Sequence, residues 1–425
     1  MTGMSVLSRL LGAIEPRTAR SLPQAATYAL WPLAVLIVLQ RLWWALSEPF
    51  PSGRFLTVYD ASFAFINPHL AEHSDPAALS PGAAMLTAPL AVMTPETAWW
   101  WWQGCSVAAL LTAWCLVLRV LHLPMRSPAT PVLLGGMFLC GPVTSTLLTA
   151  DLGAFVLLAL TLWLLLAVRH REVVAAITLG AVVALMPVFA ALLIVPLLRR
   201  RWVQPLLAAA VATAIAVPVW IRTGEFGFSA LDSTPGSSRS VFAVADYLHL
   251  PTVVAILLAA TIVAGAVAAL VLLYLRREEQ PLTVLTASGI VLLASCLLTP
   301  IATAAYSLTL VPLVASVVLA GSVLRSWPAW LAVYAFGTDE NWSSAHFFAF
   351  GTHLEMLRPT LGWMLLLATS LTMLATGHRT PVGPIPDRTM KTSPLEWDSS
   401  GGDSAPWSGG LRIGSAVHVA INESR

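Results

Sequence analysis

Tyr59 and Asp60 stand together in a stretch otherwise rich in aromatic and apolar residues, including Phe55, Val58, Phe63, Phe65 and Ile66. A carboxylate at that place can act as general base toward a hydroxyl; a solvated loop aspartate is the alternative. Arg41 interrupts an apolar run, in Gln40-Arg41-Leu42-Trp43-Trp44. A guanidinium in lipid costs roughly 3 kcal/mol on insertion scales. Arg41 therefore either snorkels to the interface or pairs with an anion such as a lipid phosphate, which its fork binds at two points. His69, His73 and Asp75 are close in sequence but lack the helical spacing of metal ligands, so no metal site is expected. Asp151 lies between two apolar segments and is either a helix N-cap or a site residue. Tyr306 is either an interface anchor or a lining residue.

The elements that must position these groups are membrane helices. The chain is 57% hydrophobic and 10% charged, whereas a soluble domain carries roughly 25% charge. Apolar segments of about 20 residues recur, long enough to cross the hydrocarbon core as helices that satisfy their own backbone. The expected spans are 27–46, 103–121, 130–147, 152–168, 203–221, 251–275, 281–300, 304–324, 326–337 and 359–376. The expected fold class is all-α, with about ten transmembrane helices.

Arginines assign the sides. Placing Arg9, Arg17, Arg20, Arg119, Arg126, Arg169, Arg171, Arg199–Arg201, Arg276, Arg277, Arg325 and Arg379 in the cytoplasm satisfies the positive-inside rule, with both termini inside. About 18 of the 23 basic residues then fall there, and the chemistry is expected on the outer face. Residues 172–198 are apolar yet run between two arginine clusters of the same side. They are too few for two spans, so a helical hairpin broken near Met186-Pro187 is expected, shielded by protein.

Residues 1–26 read as a cytoplasmic segment, 27–376 as the transmembrane domain and 47–102 as the first outer loop, with a helix lying on the membrane. Trp99–Trp102 suit the interface at the start of the next span. Residues 377–425, rich in Gly, Pro, Ser and Asp, read as a disordered cytoplasmic tail. No short apolar stretch with a small-residue cleavage site opens the chain, so the first span is expected to be a retained anchor. Cys105, Cys115, Cys140 and Cys296 sit in or beside apolar segments and form no disulfide or metal pattern. No phosphate-cradling glycine loop, nucleophile elbow or zinc-type histidine pair is present.

Several stretches, in this order, resemble the GT-C membrane glycosyltransferases of glycosyltransferase family 87, in particular its arabinan-branching members. They are Leu30-Trp31-Pro32 with Gln40-Arg41, Val58-Tyr59, Asp75-Pro76, Pro81-Gly82, Ala88-Pro89 and residues 143–147. Met186-Pro187 with Arg199-Arg200-Arg201-Trp202 follows, then Ala305-Tyr306-Ser307, Trp327-Pro328-Ala329-Trp330-Leu331, Val333-Tyr334 and Leu361-Gly362-Trp363. The resemblance covers about residues 25–375.

The resemblance implies transfer of a sugar, here arabinofuranose, from a polyprenyl-phosphate carrier to an envelope glycan at the outer face, with inversion. It implies no cofactor, no metal and no nucleic acid; the partners are donor lipid, glycan acceptor and bilayer. Asp60 would be the base, Arg41 and Arg54 would hold the donor phosphate, and Tyr59, Asp75, Asp151 and Tyr306 would line the substrate pocket.

Three places depart from the family pattern. Gly53-Arg54 replaces an acidic pair, Leu79-Ser80-Pro81 replaces Tyr-Pro-Pro, and Met186-Pro187 replaces Lys-Pro. A catalytically degenerate scaffold that binds lipid-linked sugar or assists a partner enzyme is the alternative. A mannosyltransferase of the same family or a lipid transporter ranks third; against the transporter, charged residues inside the spans are few and no internal repeat is visible.

Overall fold

The computed structural model describes residues 16–47, 53–67, 79–223, 238–276, 280–299, 303–338 and 348–376. All of these fall in the first of two units, Met1–Thr380, while Pro381–Arg425 lies outside them. The tail reading for 377–425 and the reading of His69, His73 and Asp75 therefore concern residues outside those described.

Every regular element among the described residues is helical. In order they are α1 (Pro16–Ser47), α2 (Gly53–Ile66), α3 (Pro81–Thr87), α4 (Pro95–Val120), α5 (Ala129–Leu139), α6 (Gly141–Thr149), α7 (Gly153–Val168) and α8 (Glu172–Leu185). Then come α9 (Ile194–Leu198), α10 (Val203–Thr223), α11 (Val241–Tyr247), α12 (Thr252–Arg276), α13 (Gln280–Leu298), α14 (Val311–Ala315), α15 (Trp327–Gly337) and α16 (Phe348–Thr376). Short 3-10 segments join some of them: Ala88–Val92, Pro187–Leu193, Ala304–Leu310, Ser316–Val318 and Val323–Arg325.

Six helices are long and apolar enough to cross a membrane: Ala25–Ser47, Pro95–Val120, Val203–Arg222, Thr252–Arg276, Pro281–Leu298 and His353–Thr376. The chain is a polytopic membrane protein. The expected continuous span 130–147 is instead two helices, α5 and α6, bent by 54°. Pro142 explains the break: it has no N–H to give, and its ring clashes with a carbonyl one turn back. Counted as one, this pair is a seventh candidate span. The other expected crossings fall on shorter helices. At 16 residues, α7 spans about 24 Å at 1.5 Å per residue, less than the ~30 Å core. Residues 304–318 are a 3-10, α, 3-10 succession instead of one helix.

The core is built around α7, whose Leu157, Leu160, Trp163 and Leu164 are fully enclosed between α4 and α8. Beyond it, α8 packs along α10 at very short range. A Cβ on Gly180 would stand 2.6 Å from the Ala208 carbonyl oxygen, so only glycine allows the two backbones this approach.

The hairpin expected over 172–198 is present, and its helix ends at Met186, whose extended backbone (φ −139°, ψ 92°) precedes Pro187. Its two ends meet. Arg199 Nη1 donates to the Ala167 carbonyl at 3.2 Å, and Arg201 Nη1 pairs with Glu172 at 2.9 Å. The chain thus leaves and re-enters at one arginine-rich edge.

Candidate functional site

α2 carries Tyr59 and Asp60. It is a helix, as expected for this stretch, because its apolar residues recur at helical spacing and bury one face. Phe55, Val58, Tyr59 and Ser62 are buried, and Asp60 is exposed on the other side. Phe55 meets Trp99 edge-on, with ring centroids 5.1 Å apart. The Tyr59 hydroxyl donates to the Met93 carbonyl at 2.7 Å, and Ser62 donates to Thr87 Oγ1 at 2.7 Å. Tyr59 is therefore a fastener of α2 with its hydroxyl already committed. Burial raises its pKa above the ordinary value, and the Asp60 charge adds to this. Partial burial also raises the Asp60 carboxyl above the ordinary aspartate value, which makes it the stronger proton acceptor when ionised.

Of the four tryptophans expected at the interface, two belong to the interior instead. Trp99 and Trp102 are buried and Trp100 and Trp101 exposed, because residues three apart share a helix face. Trp102 Nε1 donates to the Ala150 carbonyl at 2.9 Å, and Gln103 Nε2 to that of Leu147 at 2.6 Å. These bonds satisfy the end of α6, where Ala150 adopts a left-handed φ of 53°. Asp151 follows directly, and its Oδ1 accepts the Leu152 N–H at 2.7 Å. The cap position of α7 is Leu152 itself, with no side-chain bond, so the capping role expected of Asp151 is displaced by one residue.

Tyr306 is half-buried in the 3-10 segment Ala304–Leu310, with its ring 5.9 Å from that of Phe189 on the broken hairpin. The segment is held from the other side by Trp363 Nε1, which donates to Ser307 Oγ at 2.9 Å. Both α2 and this segment pack against α6. Asp60 and Tyr306 therefore sit on elements that both adjoin α6, and Asp151 follows the end of that helix. Arg41 is half-exposed on α1, its guanidinium 5.6 Å from the Trp44 ring centroid on the same helix. Arg54 lies in the first turn of α2. Asp75 lies outside the described residues.

A family model of glycosyltransferase family 87 matches residues 80–300. The alpha-(1->3)-arabinofuranosyltransferase of Mycolicibacterium smegmatis is 33% identical over 391 residues, covering 87% of this chain and 90% of that protein. The protein of the same name from Mycobacterium tuberculosis is 34% identical over 388 residues, 86% of this chain and 89% of its own. That of Corynebacterium glutamicum is 26% identical over 364 residues, 80% and 85% of the two chains. The chain belongs to glycosyltransferase family 87. No solved structure matches it.

Within this family 87 chain, three arginines that sequence reasoning passed over act on the face opposite the arginine-rich edge. Arg222, at the end of α10, donates from Nε to the Phe65 carbonyl at 2.7 Å and from Nη2 to that of Ile66 at 2.6 Å. It caps α2 from a helix more than 150 residues away. Arg239 precedes α11, donates from Nη1 to Met356 Sδ, and accepts at its carbonyl from Thr360 Oγ1 at 2.5 Å. Burial lowers the Arg239 pKa and Glu355 opposes that shift. Arg358 is buried on α16 and donates from Nη2 to the Thr338 carbonyl at the end of α15. Their signal was available. Together with Arg41 and Arg54 they are the five arginines that the positive-inside assignment leaves outside.

Proposed function

We propose that this chain transfers arabinofuranose from a polyprenyl-phosphate carrier to a hydroxyl of a cell-envelope glycan, on the outer face of the cell membrane and with inversion. Asp60 carries the reading. It is exposed, on a helix anchored by Tyr59 and capped by Arg222, and its carboxyl is raised above the ordinary aspartate value. The Asp60 carboxylate takes the proton of the acceptor hydroxyl as that oxygen attacks the anomeric carbon. The bond from that carbon to the phosphate oxygen breaks, and the electron pair leaves with polyprenyl phosphate. Arg41 and Arg54 hold that phosphate; Arg54 in the first turn adds its charge to the positive end of the α2 dipole. Asp151 and Tyr306 border the sugar site; the family resemblance adds Asp75 and Tyr59 to it, Tyr59 as the anchor of α2.

The same reading makes the fold GT-C-like. α7, the 304–318 segment and α15 are then short crossings shielded by protein, bringing the total to about ten with both termini cytoplasmic. α2 lies along the outer interface.

One observation favours a second reading. Gly53-Arg54 stands where the family resemblance places an acidic pair. A scaffold that binds lipid-linked sugar without turning it over accounts for that change. A transfer assay separates the two. Membranes holding the chain receive labelled polyprenyl-phosphate-arabinose, or polyprenyl-phosphate-mannose, with short arabinan or mannan acceptors. Arabinose transfer that vanishes in Asp60→Asn membranes supports the enzyme. Donor binding without transfer supports the scaffold.

A further inference from the structure

The arginine-rich edge carries a cavity remote from Asp60. Left-handed His170 and Arg200, each with φ 58°, turn the chain at the two ends of the hairpin. The turns are tied by Arg199 to Ala167, by Arg201 to Glu172, and by Arg201 Nη2 against His170 Nδ1 at 2.6 Å. Two guanidinium groups are thereby held in place. Beside them lies a cavity of about 330 Å³, lined by Arg199, Arg201, Leu270, Tyr274 and Thr283 among others.

A second cavity, of about 420 Å³, is lined by Val188, Ala191, Val263, Ala266 and Leu298 among others, and is almost wholly apolar. Leu270 lines both cavities, and the same elements bound them: the returning arm of the hairpin, α12 and α13. Each volume falls in the roughly 300–1,000 Å³ range of small-molecule sites.

We propose that the two cavities form one groove that binds an anionic glycerophospholipid, with its phosphate on Arg199 and Arg201 and one acyl chain laid past Leu270 between α12 and α13. The chemistry is complementary at both ends. An apolar groove at membrane depth is filled by hydrocarbon chains, not water. Guanidinium N–H groups give charge-assisted hydrogen bonds to phosphate oxygens, and the two arginines together place positive charge where an anionic membrane surface attracts it. Burial and the Arg201 charge push the Arg199 pKa down and the Glu172 charge opposes them in part; a phosphate between the two arginines adds to that opposition.

A sugar-carrying lipid is disfavoured at this end. Among the described residues, the carboxylate beside the two guanidiniums is Glu172, and Arg201 already holds it. The bound lipid would brace the hairpin whose far end touches Ser80 and Tyr306. The inference does not rest on the transferase reading.

The test uses the full-length chain, purified in detergent, stripped of lipid and then offered phosphatidylglycerol, phosphatidylcholine, polyprenyl phosphate or inorganic phosphate. Native mass spectrometry counts bound lipid, and thermal unfolding gives Tm. Phosphatidylglycerol should be retained about tenfold over phosphatidylcholine, equivalent to 1.4 kcal/mol, and should raise Tm, while inorganic phosphate should not. Arg199→Gln should remove the preference. Ala266→Trp fills the groove with both arginines intact, and should lose the lipid even if Arg199→Gln fails to fold. Equal retention of the two phospholipids overturns the proposal, as does a preference unchanged in Ala266→Trp. An equal Tm shift from inorganic phosphate would make this a free-anion site, and tighter binding of polyprenyl phosphate a carrier site; either also overturns it.

Discussion

Ser80 donates its hydroxyl to the carbonyl of Leu185 at 2.6 Å. The start of α3 is thus bonded to the place where the hairpin helix α8 stops. The Leu185 carbonyl is among those a helix end leaves without an intrahelical partner, and at membrane depth it needs one. Next to Ser80, a Cβ on Gly82 would lie 2.5 Å from the Ala184 carbonyl carbon, so α3 and the hairpin touch backbone to backbone.

Changes at this contact should be graded. Ser80→Ala removes one hydrogen bond and orphans a carbonyl, a loss of about 1–3 kcal/mol. Gly82→Val meets backbone that cannot step aside and should cost at least about 1–3 kcal/mol of overpacking strain. Thermal unfolding of the purified chain should show both variants below the parent, with Gly82→Val the lower. Parental Tm values in both would mean the contact contributes nothing.

Asp60→Asn should reduce transfer by about 10²–10⁴-fold, the usual worth of a positioned base, with membrane levels unchanged because the side chain is exposed. The pH dependence follows from the raised carboxyl. A base works ionised, so transfer should rise with pH through a midpoint above the ordinary aspartate value and then level off. Stability runs the other way. The folded state holds the proton to higher pH than the unfolded one, so this group's contribution is full below the unfolded pKa and is lost as pH rises through the folded pKa. An acid limb that survives unchanged in Asp60→Asn would assign the base elsewhere.

Arg41→Gln and Arg54→Gln should each raise the KM for the lipid donor by about tenfold or more, since a charge-assisted bond to phosphate is worth about 1.5–3 kcal/mol. The two should differ in a second respect. Arg41 rests on Trp44 of its own helix, so Arg41→Lys keeps part of the interaction. At Arg54 the positive end of the α2 dipole remains after substitution, and an added anion in the assay should compete more strongly in Arg54→Gln than in the parent. Unchanged donor KM in both variants would move the phosphate to other cations of that face.

What the sequence revealed was whatever depends on neighbours along the chain. The hairpin was legible because two arginine clusters of one sign bracket a segment too short to cross twice, and Pro187 marks where its helix must end. The bend at Pro142 obeys the same rule, yet an apolar run of the right length concealed it. The split of Trp99 and Trp102 from Trp100 and Trp101 is plain helical periodicity once the helix start at Pro95 is fixed. The partners of Tyr59 and of Arg222 were not legible. Both bind backbone carbonyls, and a carbonyl has no identity in a sequence; only the fold brings Met93 or Phe65 to them.

Arg222 gives the last prediction. Its two donors serve the carbonyls of Phe65 and Ile66, and its guanidinium lies 5.3 Å from the Phe65 ring centroid. A cation at a helix C-terminus stabilises by about 0.3–1 kcal/mol through the dipole, and the two bonds to charged nitrogen add to that. Arg222→Met keeps the apolar stem and removes both effects. Amide hydrogen exchange should then quicken in the last turn of α2 while α10 stays protected, and transfer should fall because Asp60 rides on the loosened helix. Arg222→Lys keeps the charge but not the fork, and should fall between the two. Unchanged exchange at Phe65 and Ile66 in Arg222→Met would show that α2 is held by its buried face alone.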